Sequence, residues 1–281
     1  MSFKHVIKLF ILISVVLVFL LIFGFLIELF LGPGPVHSIN DCIKNQNKNY
    51  HEIYELTCSS EDGYALSNSD WDLLEKLVNL KKIQLIGIGT RDTAQQIFSE
   101  LAKLKKIETV EIVDSKIGEI DKLGEIENLK SLSIIGNSGG GSWFTVNDLD
   151  LLGTDERFDK IQSLSLKFIN IEDIPNLSRL SNLQNLSISG KSLHRINPDS
   201  VKWENLKTFE ISMNNVTTID EGIVMRLINL ESLDISYSNI TDLHFVLNLP
   251  NLHSLKYAGR NNVDMECIKA HPNYTNEWSY N

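Results

Sequence analysis

The sequence predicts an α/β repeat fold, built as a solenoid of short units and preceded by a transmembrane helix. The first observation behind this prediction is a run of 19 residues without a charged side chain, Leu9 to Ile27. The second is an apolar spacing that recurs through the rest of the 281 residues. With 43% hydrophobic and 22% charged residues, the chain has enough apolar side chains to build a core, which excludes a wholly disordered protein.

The charge balance excludes some classes of partner. The formal net charge is −10 at pH 7, and an acidic surface repels nucleic acids and anionic lipids, so neither is expected as the main partner. Three cysteines are too few for a disulfide scaffold or for a zinc ribbon with paired ligands.

The apolar run near the amino terminus is long enough to cross a membrane. As a helix, Leu9–Ile27 would be about 28 Å long, close to the thickness of the hydrocarbon layer. The core of a signal peptide is shorter, about 7–15 residues, and ends at a small-residue cleavage motif. The stretch Gly32-Pro33-Gly34-Pro35 offers no such motif. We therefore predict an uncleaved signal anchor over residues 9–31, with a cleaved signal peptide or a buried core helix as alternatives.

The positive residues predict the orientation of this single-pass anchor. Lys4 and Lys8 precede the span and the next positive residue is Lys44, so residues 1–8 are expected to form a cytoplasmic tail. The rest of the chain would then lie on the exoplasmic side, whether extracellular, periplasmic or lumenal. Such compartments are oxidising, which makes Cys42 and Cys58 a candidate disulfide. The alternative is a pair of free thiols.

Eight units share one spacing of apolar positions. Each has an apolar residue at a first position, at three and five residues after it, and at three residues before it. The first positions are Leu80, Ile107, Leu129, Ile161, Leu183, Leu206, Leu230 and Leu252. An asparagine directly precedes the first position in six of these units. The alternating pair predicts a short strand with an inward face, and stacked units bury those faces together.

The pattern N-L-x-x-L-x-L, clearest at 182–188, 205–211 and 229–235, resembles that of the leucine-rich repeat family. The common spacing of about 22 residues is similar to the short, internalin-like repeats of that family. The resemblance implies a leucine-rich-repeat solenoid with a parallel sheet on the concave side and helices or 3-10 turns on the convex side. We assign residues 32–70 to a linker and amino-terminal cap, 71–258 to the leucine-rich-repeat domain of about 8 repeats, and 259–281 to a carboxyl-terminal cap.

The chain departs from the family at the turn that follows each strand. The family's asparagine is present as Asn137 and Asn214, whereas other units have Ser115, Ser238 or Ile88. Backbone hydrogen bonds at those turns must then be made differently, so the turns are predicted less closely than the strands.

The outward positions of the predicted strands carry mainly small hydroxyl side chains, which leave a groove without bulky obstruction. Two sets of apolar residues stand out as candidate partner contacts, because exposed apolar and aromatic side chains often dominate binding. The alternative is that a flanking loop or a cap covers them. The first set is Ile86, Val113 and Ile135, and the second, one position further along, is Phe168, Met213 and Tyr237.

Two acidic residues, Glu210 and Asp234, fall on neighbouring predicted strands about 4.8 Å apart, with Lys256 on the next strand. We include both acids among the partner-binding candidates. A solvated charge ladder is the favoured interpretation, and an acid–base pair or a cation site is the alternative. The motifs H-E-x-x-H and G-x-G-x-x-G are both absent from the sequence, and we predict no cofactor and no metal.

These observations predict a non-catalytic, membrane-anchored protein that binds a protein or glycan partner through its concave face. One alternative is a structural or assembly subunit of a membrane protein complex. A remote alternative is an enzyme that uses Glu210 and Asp234.

Overall fold

The computed structural model describes residues 39–59, 68–87, 94–115, 120–136, 146–258, 265–275 and 278. The predicted transmembrane segment, residues 9–31, lies outside these ranges. Within them, no helix has both the length and the apolar character needed to cross a membrane.

Nine strands form one sheet in which the strands follow each other in chain order and every neighbouring pair is parallel. They are β1 (Glu55–Ser59), β2 (Lys82–Ile86), β3 (Thr109–Val113), β4 (Ser131–Ile135), β5 (Ser163–Lys167), β6 (Asn185–Ser189), β7 (Thr208–Ser212), β8 (Ser232–Asp234) and β9 (Ser254–Lys256). The inward residues Leu132, Leu164 and Leu186 stand directly beside one another on β4, β5 and β6. The predicted solenoid is therefore confirmed.

The first strand lies where the sequence predicted a linker and cap. β1 pairs with β2 in parallel, with Leu56 beside Ile83. The repeat spacing in fact continues back into this segment, because Ile53, Leu56 and Cys58 are all buried and keep the same offsets. The sheet thus begins one unit earlier than the eight units of the sequence pattern.

Short helices connect the strands on the other side of the sheet. The α-helices are α1 (Ile39–Asn45), α2 (Asn68–Leu74), α3 (Ala94–Ala102), α4 (Val146–Thr154), α5 (Glu221–Val224) and α6 (Met265–Lys269). The 3-10 helices are Tyr50–Glu52, Asp121–Glu125, Glu156–Phe158, Pro198–Ser200, Trp203–Asn205 and His244–Asn248. Side-chain caps start several of them: the amide of Gly222 donates to Asp220 at 2.7 Å, and that of Asp199 donates to Asn197 at 3.0 Å.

The core is one continuous layer between the sheet and these connections. All four apolar positions of the eight predicted units are buried, and the most exposed of them, Leu104, is 8% exposed. Each unit contributes only a few side chains, so the burial of any one unit depends on its neighbours.

The asparagines that precede the first position join successive units. Each donates its side-chain amide to a backbone carbonyl of the unit before it, which satisfies an acceptor that the short connecting turn leaves unpaired. The donor–acceptor pairs are Asn79 and His51, Asn128 and Lys105, Asn182 and Asp159, Asn205 and Ser181, Asn229 and Glu204, and Asn251 and Ile228. Asn273 extends the same ladder into the carboxyl-terminal region by donating to the carbonyl of Pro250 at 3.1 Å.

The turns after the strands use either asparagine or serine. The buried Asn214 donates to the carbonyl of Ile211 at 2.6 Å and accepts from the amide of Val216 at 2.8 Å. In other units, Ser115 donates to the carbonyl of Val113 at 2.9 Å, and Ser238 accepts from the amide of Ile240 at 3.4 Å. In these two turns, a serine hydroxyl therefore makes a hydrogen bond with the backbone in place of asparagine. Ile88 and Asn137 lie outside the described residues.

Both ends of the sheet are covered by residues outside the regular repeats. At the carboxyl end, the buried His271 donates from Nε2 to the carbonyl of Leu249 at 3.0 Å. The indole of Trp278 donates to the carbonyl of His253 at 2.7 Å, and its ring lies 5.0 Å from that of His271. At the amino end, a disulfide joins Cys42 in α1 to Cys58 in β1, with 5.4 Å between their Cα atoms.

Candidate partner-binding face

The concave face consists of the solvent-facing side chains of the sheet and of the turn residue that follows each strand. Ile86, Val113 and Ile135 are in register on β2, β3 and β4. Each is half-buried. The structure thus brings these three residues together as one apolar strip at the ends of adjacent strands.

Phe168, Met213 and Tyr237 occupy the same position of the repeat, seven residues after the first apolar position of their units, and we call these three residues the edge row. All three have left-handed backbone conformations, with φ of 54°, 52° and 58°. The same position in the first two predicted units holds Gly87 (φ 63°) and Asp114 (φ 45°). A left-handed residue therefore recurs at this position in five units, whereas Gly136 is not left-handed and Gly190 has a φ of 158°. The edge row places large side chains where these other units have glycine or aspartate.

The edge row also extends the hydrogen bonding between neighbouring units. The amide of Phe168 donates to the carbonyl of Ser189 at 2.8 Å, and the amide of Met213 donates to that of Ser236 at 2.9 Å. Each left-handed residue thereby adds one more hydrogen bond between neighbouring units beyond the end of its strand.

Large side chains at this position carry a conformational cost. A left-handed residue with a Cβ is about 1–2 kcal/mol less favourable than the right-handed form, whereas glycine accepts either conformation. Despite this cost, the side chains do not enter the core: Met213 is 45% exposed and Tyr237 is 54% exposed, while Phe168 is half-buried. Backbone strain of this kind is concentrated at functional sites, so the edge row is the most informative feature of the face.

Glycines flank Phe168 on both neighbouring units. A Cβ on Gly136 would lie 2.3 Å from the carbonyl oxygen of Phe168, and a Cβ on Gly190 would lie 3.0 Å from that of Ile169. A side chain is excluded at the first site and tight at the second. The edge row therefore has a gap at Gly190, between Phe168 on one side and Met213 and Tyr237 on the other.

An ion pair crosses the centre of the face. The Nζ of Lys167, on β5, lies 3.0 and 2.8 Å from the two carboxylate oxygens of Glu210, on β7. The hydroxyls of Ser187 and Ser212 donate to the same carboxylate at 2.7 and 2.9 Å. Lys167 therefore reaches across β6 to close a polar cluster of four side chains.

These contacts set the protonation state of Glu210. Burial raises the pKa of its carboxyl group, but the hydrogen bonds from Lys167, Ser187 and Ser212 lower it by more, so the pKa lies below its usual value. The carboxylate is ionised at neutral pH and both of its oxygens are engaged. This arrangement differs from the solvated ladder that the sequence predicted, and it suits a fixed structural acceptor better than a group that exchanges protons.

Asp234 has a different environment, although it stands directly beside Glu210 in the sheet. Its Oδ1 accepts the amide of Ser236 at 2.9 Å, which turns the carboxylate toward the end of the strand that carries Tyr237. Lys256 is in register on the other side, yet within the described ranges neither Asp234 nor Lys256 takes part in an ion pair. The Asp234 carboxylate is thus a charged acceptor without a cationic partner among these residues.

A buried hydroxyl lies beside the ion pair. Ser189 is in register between Lys167 and Ser212, and it is only 2% exposed. Among the residues that the structure describes, its Oγ has no hydrogen-bond partner.

The described part of the chain contains no cluster of three or more His, Cys, Asp or Glu side chains able to hold a metal ion. A shallow depression lies away from the sheet, among the connecting segments. It is lined by Leu151, Thr154, Asp155, Glu156 and Arg179.

Sequence analysis missed two features of this face. The spacing pattern predicted the positions of the edge row but not its left-handed backbone, although glycine at the equivalent position 87 was a visible signal. Lys167 was not among the candidate residues. It is the only lysine in its column of outward positions, which was the available signal.

Comparison with known proteins supports the fold. A family model described as leucine rich repeat matches residues 181–240. A comparison with curated protein sequences gives no match.

Two solved structures are similar to the chain. The first is the TLR13–ssRNA13 complex, with a TM-score of 0.59 and 20% identity over 79% of this chain and 32% of that chain. The second is internalin C2 from Listeria monocytogenes, with a TM-score of 0.50 and 21% identity over 72% of this chain and 80% of that one. This chain therefore spans about a third of the TLR13 chain, and at these identities the likeness concerns the fold alone. Together with the match of residues 181–240 and the nine parallel strands in register, it supports a leucine-rich-repeat fold for the described part of the chain.

Proposed function

We propose that this protein is a non-catalytic, membrane-anchored binding protein that contacts a protein or glycan partner through its concave face. The observation that carries the proposal is the edge row, where three large apolar side chains are exposed or half-buried at left-handed positions of the backbone. A partner that covers these side chains would offset the conformational cost of holding large residues at left-handed positions.

The rest of the face suits this role. Small hydroxyl side chains leave much of the sheet accessible. The sheet is a rigid support because each strand is hydrogen-bonded to its neighbours. Binding surfaces of this kind draw most of their affinity from a few aromatic or apolar anchors, with the surrounding contacts supplying fit. The TLR13 structure contains RNA, but the net charge of −10 on this chain disfavours a nucleic acid.

Membrane anchoring is part of the proposal. It is supported by the uncharged run Leu9–Ile27 and by the two lysines that precede it, Lys4 and Lys8. The Cys42–Cys58 disulfide is consistent with an oxidising compartment, so we place the repeat domain outside the cytoplasm.

Protease treatment of intact cells or sealed vesicles tests the anchor. We expect alkaline carbonate to leave the full chain in the membrane fraction, and we expect an added protease to reach the repeats. Release by carbonate, or protection of the repeats from a protease added on the exoplasmic side, would contradict the proposed anchor and orientation.

Proximity labelling from the full chain on intact cells tests the concave face. Neighbours labelled by the wild type should be lost with Ile135→Asp and with Tyr237→Ala. The matched control is Met225→Ala, because Met225 is 66% exposed on the opposite side of the domain. Labelling that survives both concave substitutions but is lost with Met225→Ala would contradict the proposal.

One observation favours the second candidate function, an assembly subunit of a membrane complex. Met225, Ile228 and Leu247 are exposed on the connecting segments of the last units, and apolar exposure of this kind suits a permanent partner. The two functions differ in oligomeric state. A monomeric full chain in detergent favours recognition, whereas a stable complex that Leu247→Ser disrupts favours assembly.

A further inference from the structure

We propose that the edge row binds an extended peptide segment of a partner protein, and that Asp234 accepts a lysine or arginine side chain of that segment. This inference rests on the proposed function and gives the partner a chemical class. Its support comes from the backbone of the edge row, from the unpaired carboxylate beside it, and from the charge of the chain.

The geometry of the edge row suits an extended chain that crosses the strands. The row runs across four neighbouring units, Phe168 on the first, Gly190 on the second, and Met213 and Tyr237 on the last two. Strands lie about 4.8 Å apart, so the row is about 14 Å long, which four residues of extended peptide span. The gap at Gly190 leaves room for a side chain of the peptide between Phe168 and Met213.

The side chains of the row suit a peptide with mixed chemistry. Met213 is unbranched and adapts to irregular apolar groups, and the ring of Tyr237 offers a face to a cation. Both are well exposed.

The charges on the concave face indicate that the bound peptide carries a basic residue and that Asp234 accepts it. Glu210 is already neutralised by Lys167, whereas Asp234 makes no ion pair within the described ranges. The Oδ1 of Asp234 accepts the amide of Ser236, one residue before Tyr237, so its carboxylate is held at the end of β8, next in the chain to the segment that carries Tyr237. The net charge of −10 would also steer a cationic segment toward the protein.

A glycan is the less suitable occupant. Sugar hydroxyls require several free polar partners, but Glu210, Ser187 and Ser212 are bonded to one another, and the edge row itself is mainly apolar. A glycan is therefore an outcome of the test rather than the proposal.

The test uses the full chain in detergent micelles and a phage-displayed library of twelve-residue linear peptides as the probe. We expect enriched peptides to carry lysine or arginine next to an apolar residue. An enriched peptide is then synthesised, and a second version replaces its basic residue by norleucine. Both are titrated against wild type, Asp234→Asn, Tyr237→Gly, the concave-face variant Ile135→Asp and the convex control Met225→Ala.

We expect Asp234→Asn and the norleucine peptide each to weaken binding about tenfold. Combined, they should weaken it little further, because they remove the same interaction. Tyr237→Gly should weaken binding at least tenfold and raise the Tm by about 2–4 °C, because it removes an anchor and relieves the left-handed strain. Met225→Ala should leave binding unchanged.

Any one of the following results would overturn the inference. If Asp234→Asn and Tyr237→Gly bind normally while Ile135→Asp does not, the proposed concave face stands and the edge-row site fails. If only Met225→Ala loses binding, the proposed function fails as well. A fall in the Tm with Tyr237→Gly would show that the row packs against another part of this chain. Selection of acidic peptides, or of none while a glycan array gives binding, would also reject the basic peptide.

Discussion

Lys167 and Glu210 lie on β5 and β7, yet their side chains meet across β6, with Nζ and Oε2 2.8 Å apart. The pair spans two strand intervals and holds three units of the repeat together on the concave face. It also fixes the Glu210 carboxylate, which accepts two serine hydroxyls in addition to the lysine.

Removing this carboxylate should destabilise the protein only while it is ionised. Because the folded pKa of Glu210 is lowered, its stabilising contribution is present above the unfolded pKa of about 4.3 and is lost as the pH falls through the folded pKa. We expect Glu210→Gln to lower the free energy of unfolding by about 1–2 kcal/mol at pH 7. Urea unfolding at pH 7 and pH 3 measures the difference, which should largely disappear at the lower pH.

The matched control is Glu127→Gln. Glu127 pairs with Lys105 at 3.6 Å, but both side chains are well exposed, so no measurable change is expected at either pH. An equal loss from Glu127→Gln and Glu210→Gln at pH 7 would contradict the role assigned to the buried cluster.

Two methionines should respond in opposite directions to glycine. Met213 is left-handed at φ 52°, whereas Met225 is right-handed at φ −63°. We expect Met213→Gly to stabilise the protein by about 0.5–1 kcal/mol, because relief of strain exceeds the entropic cost of glycine. Met225→Gly should destabilise by a similar amount. Thermal unfolding measures both, and a loss of stability with Met213→Gly would contradict the strain assigned to the edge row.

The asparagine ladder predicts a modest loss at each step. Asn229 donates to the carbonyl of Glu204 at 2.7 Å, and Asn229→Ala should cost about 0.5–1.5 kcal/mol because that carbonyl loses its partner. Asn248 is exposed at the end of a 3-10 helix and serves as the control, with a change of less than about 0.5 kcal/mol expected for Asn248→Ala. Chemical denaturation compares the two. Equal effects would mean that the ladder does not stabilise the repeats.

The disulfide should stabilise the amino-terminal unit. It closes a loop with a sequence separation of 16 residues, for which loop entropy predicts about 3 kcal/mol. The double substitution Cys42→Ala and Cys58→Ala should reduce the free energy of unfolding by that order. Alkylation of the native protein without reductant should modify neither cysteine, and modification of both thiols would show that the bond is absent.

The sequence predicted the spine of the fold well because its signal is simple. Leu132, Leu164 and Leu186 alternate with polar residues, and a period of two residues on a strand leaves one arrangement that buries all of them. The first strand was not among the eight predicted units, although Ile53, Leu56 and Cys58 keep the repeat spacing. Tyr50, three residues before the first position, is 40% exposed, so this unit buries fewer of the repeat positions.

The candidate site was predicted only in part. The positions of Met213 and Tyr237 follow from the repeat spacing, but their left-handed backbone does not, because neither side chain favours that conformation and the hint was glycine at the equivalent position 87. The Lys167–Glu210 pair was missed for a related reason. The repeat spacing identifies neighbours one strand apart. The side chains of Lys167 and Glu210 together bridge two strand intervals, about 9.6 Å.

Oxidative footprinting of two methionines tests the central claim most directly. Met213 lies on the edge of the concave face and Met225 on the opposite side, and both are exposed in the free protein. We predict that a bound partner slows the oxidation of Met213 several-fold and leaves that of Met225 unchanged. Protection of Met225 alone, or of neither methionine under saturating partner, would contradict binding through the concave face.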